Sequence, residues 1–368
     1  MKKTFARPAA AAALLLSAAL IAAACSSNDN GSGSGGSFQG VPLTGAGSTF
    51  AQPIYAAWAQ QFQQVEPAAK VNYQAIGSGG GVQAFANKTV QFGATDVPLT
   101  PDDVATLKGG DYIEFPTAVG GVAVLYNVNG VPNGLKLDGT TIADMFLGKI
   151  KTWNDAEIKA LNPGVNLPST AITIVHRSDE SGTTSVFTTF LSDASPTWKS
   201  QVGADKAVQW PVGQGANGSS GVAAAIKQTD GAVGYASQDY AVTSGLSSAA
   251  VKAPDGSYVS PTPDAISKAA GGLQFPITET TNILNSSAPG AYPISTTTYL
   301  LVYKDQKNKD KGQTLVDFLY WALTKGQNEV KRLNYSALPS AIQQQALALL
   351  SQITSGGQAL TPSSSVKS

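Results

Sequence analysis

Four stretches of this chain set glycine beside hydroxyl side chains where a strand is expected to turn into a helix. They are Thr44-Gly45-Ala46-Gly47-Ser48-Thr49-Phe50, Ile76-Gly77-Ser78-Gly79-Gly80-Gly81, Ser178-Asp179-Glu180-Ser181-Gly182-Thr183-Thr184, and the run from Gly213 to Gly221. The first turn of a helix carries unpaired N–H groups and the positive end of the helix dipole, so such ends attract anions. Ser and Thr hydroxyls add neutral donors. One such loop means little, because any α/β chain must turn. Repeated, they predict an anion site built from neutral donors. Arg177, just before the third loop, could hold two oxygens of that anion at once, or it could be a surface arginine in a strand–helix loop. Asp96 is an acceptor in an otherwise donor-rich set. It reads either as a turn residue before Pro98 or as the acceptor for a proton carried by the ligand.

Other chemistries are excluded by count. The chain has 368 residues, with 24 Lys+Arg, 24 Asp+Glu, one His and one Cys. A Cys/His metal cluster is not available, and a Ser–His–Asp triad would have to use His176. His176 reads as a strand-end histidine: Thr184 or Ser185 could lie near it, but a triad also needs an orienting acid and an oxyanion hole. No catalytic residue, metal or cofactor is assigned. The balanced charge argues against nucleic acid as a partner. The Gly-Lys-Ser/Thr ending of a nucleotide loop is absent, and Gln52 and Pro53 follow Gly47 where a dinucleotide fingerprint needs its third glycine.

The elements that must position these groups alternate in type. Apolar β-type runs at 71–76, 121–128, 172–175 and 299–303 predict strands. Helical periodicity marks 55–65, 82–87, 184–191, 221–228, 315–333 and 341–352. This is an α/β pattern with largely parallel sheets, and 42% hydrophobic residues supply a sizeable core. No internal repeat occurs and no second linker divides the body. Two lobes would therefore be joined by crossing strands. Trp58, Trp153, Trp198, Trp210 and Trp321 read as packing.

Lys2, Lys3 and Arg7 precede an uncharged Ala/Leu/Ile stretch over residues 9–24 that ends at Cys25. This is a signal-peptide layout, too short for a comfortable membrane span. Cleavage after Ala24 would make the sole Cys the first mature residue. The arrangement resembles the lipobox of bacterial lipoproteins, with Ala22 where Leu is usual. Removing three of 24 basic residues leaves 21 against 24 acidic ones. Residues 26–39 have the composition of a flexible tether reaching about 20 Å.

In order and spacing, the loops resemble the phosphate-binding subunit of the bacterial phosphate-specific ABC transporter. The similarity runs from Leu43 to about residue 350. It includes Val71-Asn-Tyr-Gln-Ala-Ile-Gly-Ser-Gly-Gly-Gly81, Phe92-Gly-Ala-Thr-Asp-Val-Pro-Leu99 and the segments 147–153, 177–183 and 293–298. The resemblance implies a two-lobed periplasmic-binding-protein fold (type II-like), each lobe a mainly parallel sheet flanked by helices, joined by two hinge strands. It implies phosphate ligation by the Thr49 hydroxyl, the Phe50 N–H, Ser78, Asp96, Arg177, Ser181, Gly182 and Thr183. Asp179 matches the acid that pairs with the arginine. Ser48 and Gly79 vary at places the family does not use for ligation, and His176 stands beside Arg177 where another residue is expected. The expected partners are inorganic phosphate, the permease subunits of an ABC importer, and the membrane through a lipid on Cys25, for a monomeric receptor that is lipid-anchored or periplasmic. Two alternatives remain open: an extracellular phosphatase on the same scaffold, or a receptor for another oxyanion such as sulfate. Lobe one is expected over 40–117 and 295–360, lobe two over 118–294, with hinges near 116–119 and 291–295 and a disordered tail at 361–368.

If Cys25 carries the lipid, Cys25→Ser will shift the protein from the membrane fraction to the medium or soluble periplasm, because several acyl chains hold a protein stably where one does not. Unchanged membrane retention of the variant would refute the anchor.

Overall fold

The computed structural model describes residues 40–278 and 282–367. The expected signal segment, Cys25 and the tether lie outside the described residues. The described residues form one compact unit. Its main sheet has nine strands. At one end, Leu43–Gly47 lies parallel to both Val71–Ala75 and Phe92–Thr95. At the other, Thr173–Arg177 lies parallel to both Gln214–Ala216 and Ala232–Ser237. The strand–helix alternation seen in the sequence produces these parallel pairs, because each helix returns the chain to the same end of the sheet.

The middle of the sheet is antiparallel. Ser295–Tyr303 runs against both Phe92–Thr95 and the long strand Tyr112–Asn127. That long strand changes partner part-way: Gly121 is still opposite Ser295, whereas Val122 is opposite Ser237. One continuous strand thus serves both groups of strands. The handover at Gly121 and Val122 falls a few residues beyond the hinge expected at 116–119. The second expected hinge, at 291–295, meets it there, where the Val122 N–H donates to the Ile294 carbonyl at 2.7 Å.

Helix Gln52–Val65 shows how the core is written in the sequence. Pro53 sits in its first turn, and Ile54, Tyr55, Trp58 and Phe62 fall on one face and are buried. Phe62 meets Phe318 edge-on at 5.4 Å. The Trp58 indole N–H donates to the Gly326 carbonyl at 2.8 Å. That contact lies in the break between Lys309–Leu323 and Gln327–Arg332, so the single helix expected over 315–333 is two. The five tryptophans pack as expected: Trp58, Trp153, Trp198 and Trp321 are buried and Trp210 is partly buried.

The tail departs from expectation. Ser364–Lys367 forms a helical turn with Val366 fully buried. The Asp317 carboxylate accepts from the Ser363 N–H at 2.7 Å, and the Ser365 hydroxyl donates to Glu66. A polar composition read as disordered is held by one apolar anchor and two carboxylates. Among the described residues no helix is long and apolar enough to cross a membrane.

Candidate functional site

Asp96 follows strand Phe92–Thr95 and is 1% exposed. Three hydroxyls from three segments donate to its carboxylate. Ser48 Oγ and Thr298 Oγ1 reach Oδ1 at 2.6 and 2.8 Å, and Ser78 Oγ reaches Oδ2 at 3.2 Å. Thr296 Oγ1 donates to the Asp96 carbonyl at 2.8 Å. Burial pushes the Asp96 carboxyl up from its usual range, opposed by the hydrogen bonds from Ser48, Thr298 and Ser78 and by the charge of Arg177. Hydroxyl donors favour the ionised form and leave an acceptor in a dry place.

Arg177 ends strand Thr173–Arg177 with its side chain 1% exposed. Its Nε donates to Asp179 Oδ1 at 2.7 Å and its Nη2 to Asp179 Oδ2, a fork-to-fork pair. The Gly218 N–H also donates to Asp179 Oδ1, at 3.0 Å. Burial alone would raise the Asp179 carboxyl; the hydrogen bond and charge of Arg177 outweigh it and hold the group below its usual range. Beneath the pair, the Arg177 N–H donates to the Tyr235 hydroxyl at 3.3 Å, which lies 2.6 Å from Thr184 Oγ1.

The two groups converge because glycine lets the backbones touch. At Gly182 a Cβ would stand 2.6 Å from Ser78 Oγ and 2.9 Å from the Asp96 Cβ. At Gly77, with φ +86, it would meet Asp179 Oδ2 at 2.5 Å. The Gly79 N–H donates to the Glu180 carbonyl at 3.1 Å. Gly182 opens the helix Gly182–Ala194, capped by Ser181, whose Oγ accepts from the Thr184 N–H at 3.2 Å. The N-terminus of this helix therefore lies against the Ser78–Asp96 corner. Thr183 Oγ1, in the same turn, is buried without a hydrogen-bond partner. An orphaned buried hydroxyl beside a helix N-terminus fits an anion that would supply its acceptor.

The remaining expected residues join the cluster. Thr49 is 5% exposed, and its Oγ1 accepts from the Ser219 N–H at 3.2 Å. Phe50 is fully buried, its carbonyl accepting from the Tyr335 hydroxyl at 2.6 Å. Three supporting groups were not picked out from the sequence. Ser48, set aside there, donates to Asp96. Thr298 does the same from the other end of the chain. Ser219 brings the helix Gly218–Gln228 onto Thr49. Their signals were present in the Gly213–Gly221 loop and the 293–298 motif, without a stated role. His176 is next to last in its strand, stacks on Trp210 at 4.8 Å and lies 3.0 Å from the Arg177 carbonyl through Nδ1. The Thr184 hydroxyl faces Tyr235 and does not face His176.

The PBP superfamily domain matches residues 24–325. The phosphate-binding protein PstS of Xylella fastidiosa is 38% identical over 302 residues, covering 81% of this chain and 82% of that protein. The protein of the same name from Pasteurella multocida is 38% identical over 313 residues, covering 84% and 90%. Among solved structures, a high-affinity periplasmic phosphate-binding protein bound with phosphate superposes with a TM-score of 0.70 at 23% identity, covering 87% of this chain and 96% of that one. The fold is the two-lobed one of these binding proteins.

The buried pair sets an expectation for stability without ligand. Asp179 is held below its unfolded pKa, so its contribution is complete above the usual carboxylate range near 3.8 and is lost as pH falls through the lower folded value. Asp179→Asn leaves a buried guanidinium uncompensated and will destabilise the ligand-free protein by about 3 kcal/mol at neutral pH. Denaturant melts of both proteins from pH 7 downward will show that difference shrinking in acid. A difference independent of pH would refute the pair's role.

Proposed function

We propose, from the premise that this chain belongs to the PBP superfamily and within it to the phosphate-binding PstS proteins, that it is an extracytoplasmic receptor which closes on one inorganic phosphate and delivers it to an ABC importer. Nothing in the names of its relatives supports a phosphatase or a receptor for another oxyanion. We assign it no catalytic residue. Cys25, outside the described residues, would carry the lipid that holds a monomeric receptor near its permease.

The observation that carries the reading is the buried Asp96. A carboxylate in an anion site repels its ligand unless the ligand brings a proton. Phosphate at neutral pH still carries one and sulfate does not, so the acceptor admits the first and meets a second acceptor in the other. Ser78 and Gly182 lie against Asp96; with them the Thr49 hydroxyl, the Phe50 N–H, Ser181 and Thr183 would supply the donors a phosphate needs. Arg177 is the one cation in this set. Because Asp179 engages it in a fork, its charge toward phosphate is tempered, which suits a receptor that must let its cargo go. Two lobes joined by the shared strand and by the return crossing beside it at 291–295 can close by rotation there; such closure is an example general to binding proteins of this kind.

Asp96→Asn keeps the size, removes the charge and can turn an NH₂ toward an unprotonated oxygen. The preference for phosphate over sulfate will narrow by at least about tenfold, which is 1.4 kcal/mol, while phosphate still binds. Paired titrations of wild type and variant with both anions at one pH and salt measure it. An unchanged preference would reduce Asp96 to a turn residue.

A further inference from the structure

Lys206 stands outside the phosphate set, yet it is only 8% exposed. It touches both halves of the cleft. Its carbonyl accepts from the Ser181 N–H at 2.9 Å and so fixes the residue that caps the helix Gly182–Ala194. Its own loop is tied to that helix, with the Asp205 N–H donating to Thr188 Oγ1 at 3.2 Å. Its ammonium group crosses to the other side and pairs with Asp103. Asp103 belongs to the short helix Pro101–Ala105, five residues beyond the Pro98 turn that follows Asp96. Its carboxylate is also fixed from behind by the Thr100 N–H at 3.0 Å and hydroxyl at 2.9 Å. Asp103 precedes the shared strand Tyr112–Asn127 and Lys206 follows it, so the ion pair spans the closing interface outside the anion set, which Lys206 meets only through its carbonyl at Ser181.

We infer that Lys206 and Asp103 form a closure latch, with Lys206 a positioning residue that sets how long phosphate stays bound. This rests on the phosphate reading. The pair forms only when the two lobes meet, so its free energy adds to closure and not to the first encounter with ligand. Both ends are mostly out of water, with side chains 10% and 18% exposed, where an ion pair is screened less than at the surface. The Asp103 carboxylate is already held by Thr100, so little of its side-chain freedom is lost on pairing. The consequence is kinetic: breaking the latch opens the cleft and speeds release, leaving association to the anion donors.

The test uses the full chain with Lys206→Met, Asp103→Asn, the double variant and Lys206→Arg, in stopped-flow measurements of phosphate association and dissociation. Either single loss will raise the dissociation rate by about tenfold and leave the association rate within about twofold. The double variant will be no faster than the singles, because both remove one interaction, and Lys206→Arg will restore most of the slow release. Nitroxide labels on Gln83→Cys and Lys227→Cys, both exposed, in a Cys25→Ser background will report a longer mean separation in Lys206→Met without ligand. This distance arm needs no phosphate, so it decides the latch even if the wild type fails to bind phosphate, a result that would sink the phosphate reading alone. Unchanged label separation together with unchanged dissociation, or additive effects in the double variant, would overturn the latch.

Discussion

Everything in this cleft depends on keeping two charged groups of opposite sign out of water within reach of one another. Arg177 and Asp96 are both buried, and neither is paired with the other by a hydrogen bond. Arg177 is satisfied by Asp179, and Asp96 by three hydroxyls. In the proposed receptor that separation would make the site selective. A direct Arg177–Asp96 pair would be a closed structural salt bridge with no use for an anion. Held apart, the guanidinium and the carboxylate present an attractive and a repulsive element in one small space, and only an anion carrying its own proton satisfies both.

The scaffold serves this arrangement through a single shared strand. The long strand Tyr112–Asn127 takes one set of partners up to Gly121 and another from Val122. The groups of the first set, Ser48, Thr49, Ser78, Asp96 and Thr298, follow or belong to strands paired on one side of that handover. Arg177, Ser181–Thr183 and Ser219 follow or belong to strands paired on the other. Closing the cleft would therefore bring donors from both sides onto one point. It would need little change within either group of strands.

The legible part of the site was local. Arg177 and Asp179 are two residues apart, and the glycine–hydroxyl loops announce themselves as strand-to-helix turns, so type and spacing alone suggested an anion. The support of Asp96 was not legible in that way. Thr298 lies 202 positions along the chain from it, and its role follows only once Ser295–Tyr303 is seen to enter the sheet between the first group and the long strand. Lys206 and Asp103 are 103 positions apart and carry no motif. The helix break before Gly326 was hidden for the same reason: periodicity continues through 315–333, and it is the Trp58 indole, from a distant helix, that takes the Gly326 carbonyl. Local propensity writes the elements, while partners across the sheet decide where they stop and what they hold.

The central claim is that the cleft distinguishes anions by the proton they carry. Calorimetric titration of the wild-type chain with phosphate and with sulfate, at one neutral pH and one salt concentration, tests it most directly. The account predicts saturable binding of one phosphate per chain and no comparable binding of sulfate. Sulfate binding as tight as phosphate, or no phosphate binding at all, would contradict it.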